Sequence, residues 1–201
     1  MNQPTNKAFA EVVQSSLHSW TAQSWSWDQF PAYGSLCTIE QANMHYIGLV
    51  YDVTTGSMDS SRYPFPFKKT EQELKAEQPQ IFEFLRTTFS CLTLGYVYKG
   101  VIRYSAPPQP AKMHAFVQPI ERELQQRFYA SDQYLHRLFG LSNQIMNLDD
   151  LLIAQLHERQ MGSTLSKESM QKFLHTYSLL TANDYRRMKL FLQRAPHEFE
   201  I

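Results

Sequence analysis

Histidine is the side chain best suited to moving a proton near neutral pH, and this chain has seven: His18, His45, His114, His136, His157, His175 and His197. They are dispersed. No two stand four residues apart, and neither HExxH nor CxxC occurs, so no helical or hairpin set of metal ligands is formed. His114 is distinctive, because it follows the proline stretch in Pro110-Ala111-Lys112-Met113-His114-Ala115-Phe116-Val117. It is either a proton-transfer group or, more simply, a partly buried histidine whose hydrogen bonds fix the junction between two halves of the chain. A nucleophile would need Ser or Cys beside His and an acid, and no GxSxG elbow is present. A phosphate-cradling loop needs clustered glycines and a Gly-Lys pair. The seven glycines are scattered, and Met161-Gly162-Ser163-Thr164-Leu165-Ser166-Lys167 lacks that pair and reads as an inter-helix loop. Glu71, Glu73, Glu77 and Glu83 read as a solvated helical face rather than a catalytic carboxylate pair. No catalytic, cofactor-binding or metal-binding residue is assigned, and the expectation is a protein that is not an enzyme and uses no cofactor.

Charge narrows the partners. Lys+Arg and Asp+Glu both number 19. Residues 1–118 hold nine basic and nine acidic side chains and 119–201 hold ten of each, so neither half has the surplus that phosphate neutralisation rewards. The adjacent basic pairs Lys68-Lys69 and Arg186-Arg187 read as solvated helix ends or loops. Cys37 and Cys91 both sit in apolar, strand-like text and are expected to be buried free thiols. The polar start Met1-Asn2-Gln3-Pro4-Thr5-Asn6-Lys7 lacks the apolar centre of a signal peptide, and no apolar run approaches spanning length. A cytoplasmic, non-membrane location is expected. Trp20, Trp25 and Trp27 could stack bases or sugars, but in strand-rich text they read as core or interface anchors.

The elements that must position these residues change character along the chain. Residues 17–24 alternate weakly with strand period, Ser35 to Glu40 reads as a strand, and His45 to Val53 is the clearest strand, ended by a turn at Thr54-Thr55-Gly56-Ser57. Residues 57–69 read as a loop. Thr70 and Glu73 have capping-box spacing, and a second helix is expected over Pro79 to Thr87. Phe89 to Tyr98 and Val101 to Tyr104 form a hairpin around Lys99-Gly100. Pro107-Pro108-Gln109-Pro110 then reads as a stiff linker and a domain boundary. Beyond it the period turns helical: one stretch from Ile120 to Phe139, a second helix from Leu148 capped by Asn147, a third striped by Met170, Phe173, Leu174 and Tyr177, and a fourth striped by Tyr185, Met188, Phe191 and Leu192.

Gly34-Ser35-Leu36-Cys37-Thr38-Ile39, followed by Tyr46-Ile47-Gly48-Leu49-Val50-Tyr51-Asp52-Val53, resembles the HAS barrel, named for its occurrence in HerA-type ATPases and rotary ATP synthase subunits. Leu94-Gly95-Tyr96 and the proline exit also look like the end of such a barrel. The resemblance spans roughly residues 8–117 and rests on short apolar motifs. It implies a small barrel used for assembly. The ATPases continue into a nucleotide-binding domain, whereas four helices follow here, so ATP hydrolysis is not implied.

The expected fold class is therefore α+β: an N-terminal small β-barrel with a short helical insertion, residues 1–117, and a C-terminal α-helical bundle, residues 118–201. The expected function is a non-catalytic interaction or assembly module that docks on a protein partner or forms a homo-oligomer. The alternative is a nucleic-acid binder. In that reading the helices around 148–161 and 166–180 form a helix-turn-helix, and Arg186, Arg187, Lys189 and Arg194 touch phosphates.

Overall fold

The structure, a computed structural model, describes residues 7–58 and 66–195. Strands β1 (Ala10–Ser15) and β2 (Ser19–Ser24) form a tight hairpin. Its turn is held by the Ser16 hydroxyl, which accepts from the Ser19 N–H at 3.1 Å. A second hairpin joins β3 (Leu36–Gln41) to β4 (Met44–Ser57), and Ala42 takes the left-handed turn conformation with φ 51°. The insertion α1 (Glu71–Glu77) and α2 (Gln80–Glu83) precedes β5 (Leu85–Tyr98), which turns at Lys99-Gly100 into β6 (Val101–Arg103). The last strand is β7 (Phe116–Pro119).

All pairings are antiparallel, and the order β2-β1-β7-β3-β4-β5 closes on itself because β2 also pairs β5. The result is a closed six-stranded barrel with β6 appended to β5. The proline stretch lies between β6 and β7. The strand after it supplies the ladder to β1 on one side and β3 on the other, so the change to helices comes after Pro119, and position 117/118 falls inside β7.

Three local expectations differ from what is seen. Thr54 to Ser57 continue β4 instead of turning, because Thr54, Thr55 and Gly56 pair Thr88, Thr87 and Arg86. Thr55 and Thr87 also share a cross-strand hydroxyl contact of 2.7 Å. The same ladder draws residues 85–87 into β5, so the helix begun by Pro79 stops after one turn. The long helix expected over 120–139 breaks at Ala130–Asp132 into α3 (Arg122–Tyr129) and α4 (Gln133–Gly140), and the break lets Phe128 and Tyr129 of one and Tyr134, Leu135 and Leu138 of the other all face inward.

A 3-10 turn (Ser142–Gln144) leads to α5 (Leu148–Met161), α6 (Lys167–Leu180) and α7 (Tyr185–Leu192). Asn147 caps α5 by accepting from the Asp149 and Asp150 N–H groups, and Ser166 with Ser169 closes a capping box on α6. The Thr70–Glu73 box is also formed.

Two cores result. One fills the barrel with Val12, Trp20, Ile39, Val50, Phe89 and Val117 among others. The second joins Leu36, Ile47, Leu49, Leu92 and Leu94 to Phe128, Leu135, Leu138, Leu151, Leu152 and Leu156 from the helices. Ile47 and Leu49 face the helices while Tyr46 and Val50 face the barrel, so β4 is buried on both sides. That explains its uninterrupted apolar text. Two glycines make these cores possible. A Cβ at Gly48 would stand 2.6 Å from the Trp20 ring. Gly34, at φ 86°, lies against the backbone of α5, where a Cβ would stand 2.7 Å from the Gln155 nitrogen.

Candidate interaction surface

The helices share a core with the barrel wall built from β4 and β5, and among the described residues none of β1, β2 or β7 belongs to that core. Strand alternation sends Val12, Ala22 and Val117 inward and their neighbours outward. Trp25, just beyond β2, and Phe116 of β7 meet there edge to face at 5.5 Å, with 52% and 43% of their surfaces exposed. The Trp25 indole donates to Glu11 Oε1 at 3.2 Å, and the other Glu11 oxygen faces His114 Nδ1 at 3.3 Å. Val13, at the irregular point of β1, and Met113, in the turn before β7, are also exposed.

Around the rim, the loop from β2 to β3 and the end of β7 enclose an apolar groove of about 370 Å³ lined by Phe9, Phe30, Pro31, Leu36, Cys37 and Pro119, among others, with Lys7 at its edge. The backbone holds it rigidly: Phe9 donates to Val117 and Trp25 donates to Phe9, at 3.1 and 2.9 Å. Phe9 stacks inward on Phe89 at 5.6 Å. The arrangement is largely apolar, with the Glu11 carboxylate and the His114 imidazole beside the ring pair and Lys7 at the groove's edge.

Other singled-out residues go elsewhere. His114 is exposed rather than partly buried; it sits at φ 61° in the turn before β7, and its contact is Glu11 on β1, not a helix. Trp20 is a barrel-core residue packed edge-on against Phe89. Trp27 lies over Phe82 and ties the helical insertion to the barrel. His197 lies outside the described residues. Cys37 and Cys91 are buried free thiols; burial pushes Cys91 well above the usual thiol range, and its hydrogen bond with Cys37 adds to this.

Lys69 is paired with Glu77. Arg187 binds Asp149 with two hydrogen bonds of 2.9 and 2.7 Å, and Arg194 pairs with Asp150. Two of the four cations offered for phosphate contact therefore already bridge α7 to the start of α5. Among the described residues no group of three or more His, Cys, Asp or Glu could hold a metal ion. No described helix is long and apolar enough to cross a membrane. No family model matches the chain, and no curated protein matches it.

Sequence reasoning missed Phe116 and Phe30. The alternation Phe116-out, Val117-in carries the signal, but it can be assigned a face only once β7 is known to close the barrel.

Proposed function

We propose that this chain is a non-catalytic protein-interaction or assembly module, built on a HAS-like barrel, that engages a protein partner or a second copy through the open wall of β1, β2 and β7. The observation that carries this reading is the exposed Trp25–Phe116 pair beside a pre-formed apolar groove. Large rings bury much area with few rotors to freeze, which is why they anchor interfaces. Contiguous exposed apolar surface, rather than a single exposed residue, marks an interaction site. The neutral charge of both halves supports a protein over a nucleic acid, and so does the engagement of Arg187 and Arg194 by aspartates.

Sedimentation velocity of the whole chain, alone and with proteins recovered on it by affinity capture, tests the reading. Wild type is expected to sediment as an assembly with itself or with a captured protein. The Trp25→Ala, Phe116→Ala double variant, with an unchanged circular dichroism spectrum, is expected to weaken that assembly at least about tenfold, as loss of two central anchors does. An assembly equally tight in the folded double variant would refute the reading.

A further inference from the structure

Arg159 is a charge inside the helical half. It is only 1% exposed, yet among the described residues no carboxylate lies within 4.0 Å of it. Its guanidinium lies over the Tyr129 ring at 4.2 Å. One terminal nitrogen donates to the Tyr134 hydroxyl at 3.3 Å and the other to the Ser169 hydroxyl at 3.1 Å. The Nε–H is buried without any acceptor. Of the five N–H groups of an arginine, two are thus used, both on neutral hydroxyls. A buried cation in this state carries a desolvation cost that two hydroxyls and one ring only partly offset.

Arg159, Tyr129, Tyr134, Ser169 and Lys172 line a cavity of about 220 Å³, several times the roughly 30 Å³ that one water occupies in the liquid. Helix α6, 14 residues long, starts at this cavity, since its cap Ser166 lines the same wall. Its dipole and first-turn N–H groups favour negative charge there. Burial pushes the Tyr134 phenol up to about 12, so at neutral pH its own proton stays on as a further donor. The two carboxylates at the cavity are engaged by other groups: Asp132 accepts from the Thr176 hydroxyl, and Glu168 pairs with Lys172 at 2.7 Å. Arg159 is the cation at the cavity that has no carboxylate partner among the described residues.

We propose that this cavity binds a tetrahedral oxyanion of the phosphate class, as inorganic phosphate or as the phosphate of a small monoester, with Arg159 as its principal ligand. Donor-bearing residues at the cavity come from three elements: Arg159 of α5, Tyr134 of α4, and the start of α6 with Lys172. That matches an ion with oxygens on every side, whereas a carboxylate offers two in one plane. Glu168 competes with the anion for Lys172, so it sets the affinity. The site needs no glycine loop and stands independently of the barrel's interaction surface.

Calorimetric titration and thermal unfolding of the whole chain test this, using inorganic phosphate, sulfate, phosphoserine, acetate and chloride at matched ionic strength. Phosphate and sulfate are expected to raise Tm in a concentration-dependent manner, and acetate and chloride are not. Tighter binding of phosphoserine than of phosphate assigns the monoester as ligand, and the reverse assigns the inorganic ion. Arg159→Met is expected to abolish the phosphate response while keeping or raising Tm in chloride, because an unpaired buried charge has been removed. Should that variant fail to fold, two surface changes decide. Glu168→Gln, which frees Lys172, is expected to tighten phosphate binding at least threefold, and Lys172→Ala to weaken it by a similar factor. Absence of a phosphate response in wild type, an equal response to acetate, a response that persists in folded Arg159→Met, or affinities unmoved by both surface changes would overturn the proposal.

Discussion

Inside the barrel the buried side chains carry no charge, their polar atoms being small hydroxyls, the Cys37 and Cys91 thiols, the Tyr46 phenol and the Trp20 indole, and the strands satisfy one another's backbone groups around a closed ring. Under the helices the interior also holds Arg159, Gln155, Tyr129 and Tyr134. A closed ladder has no free edge, so a barrel can be filled with hydrocarbon and still be fully specified. Helices bring no such ladder between neighbours, and here side chains make the cross-links: Tyr177 and Arg187 both reach Asp149, and Arg159 reaches Tyr134 and Ser169. On the two proposals above, the barrel's site faces outward and the helical half's faces inward, into a polar cavity.

The strongest way to break this contrast is to empty the barrel. Trp20→Ala removes the largest fully buried side chain and leaves Gly48 facing a void, and about 3–5 kcal/mol of stability should be lost. Urea unfolding followed by circular dichroism gives the number; a loss below about 1 kcal/mol would mean that the barrel core is not close-packed around this ring. Next comes the seam between the regions. Gly34→Ala forces a side chain into a left-handed position against the backbone of α5 and should cost about 2–4 kcal/mol. All three tryptophans precede residue 28, so fluorescence reports the barrel while the helical signal reports the other half. In wild type the two unfolding curves should coincide, and in Gly34→Ala the helical curve should shift to lower urea first.

How much of this was legible follows from the same contrast. Strands β3 and β4 could be read because burial on two faces gives a continuous apolar run from Tyr46 to Val50. The caps Thr70 and Asn147 could be read because they are local chemistry. The closing strand could not, because Phe116-Val117-Gln118-Pro119 is four residues long and its pairing partners lie about 80 and about 105 residues away. For the same reason the proline stretch looked like a boundary and is a connection within the barrel. Neither proposed site was legible: Trp25 and Phe116 are brought together only by that closure, and Arg159 in Glu158-Arg159-Gln160 reads as an ordinary surface helix residue until α4 and α6 bury it.

Smaller effects sharpen the comparison. Asn147→Ala removes two acceptor contacts at the start of α5 and should cost about 1 kcal/mol, visible as a proportionate fall in the urea midpoint; no change would mean that water replaces the cap. Smallest of all is the exposed capping box of the insertion. The Thr70 backbone N–H, then its hydroxyl, hold Glu73 below the usual glutamate range. With the folded pKa depressed, the box stabilises α1 at neutral pH, and this contribution is lost as pH falls through that lowered value. A side-chain NMR titration should place Glu73 below the usual glutamate range, and Thr70→Ala should raise it; an ordinary Glu73 midpoint would mean the box is open in solution.

On the proposed reading, the open barrel wall and not the helical surface meets the partner. Two single-site variants of the whole chain, each carrying a photoreactive phenylalanine analogue, test it in the cells that make the protein: one at Phe116 on the barrel, the other at Tyr185, which is more exposed at 79% and lies on α7. Irradiation should give a discrete higher-mass protein adduct from position 116 and none from 185. Adducts from 185 alone, or from both positions equally, would contradict the account.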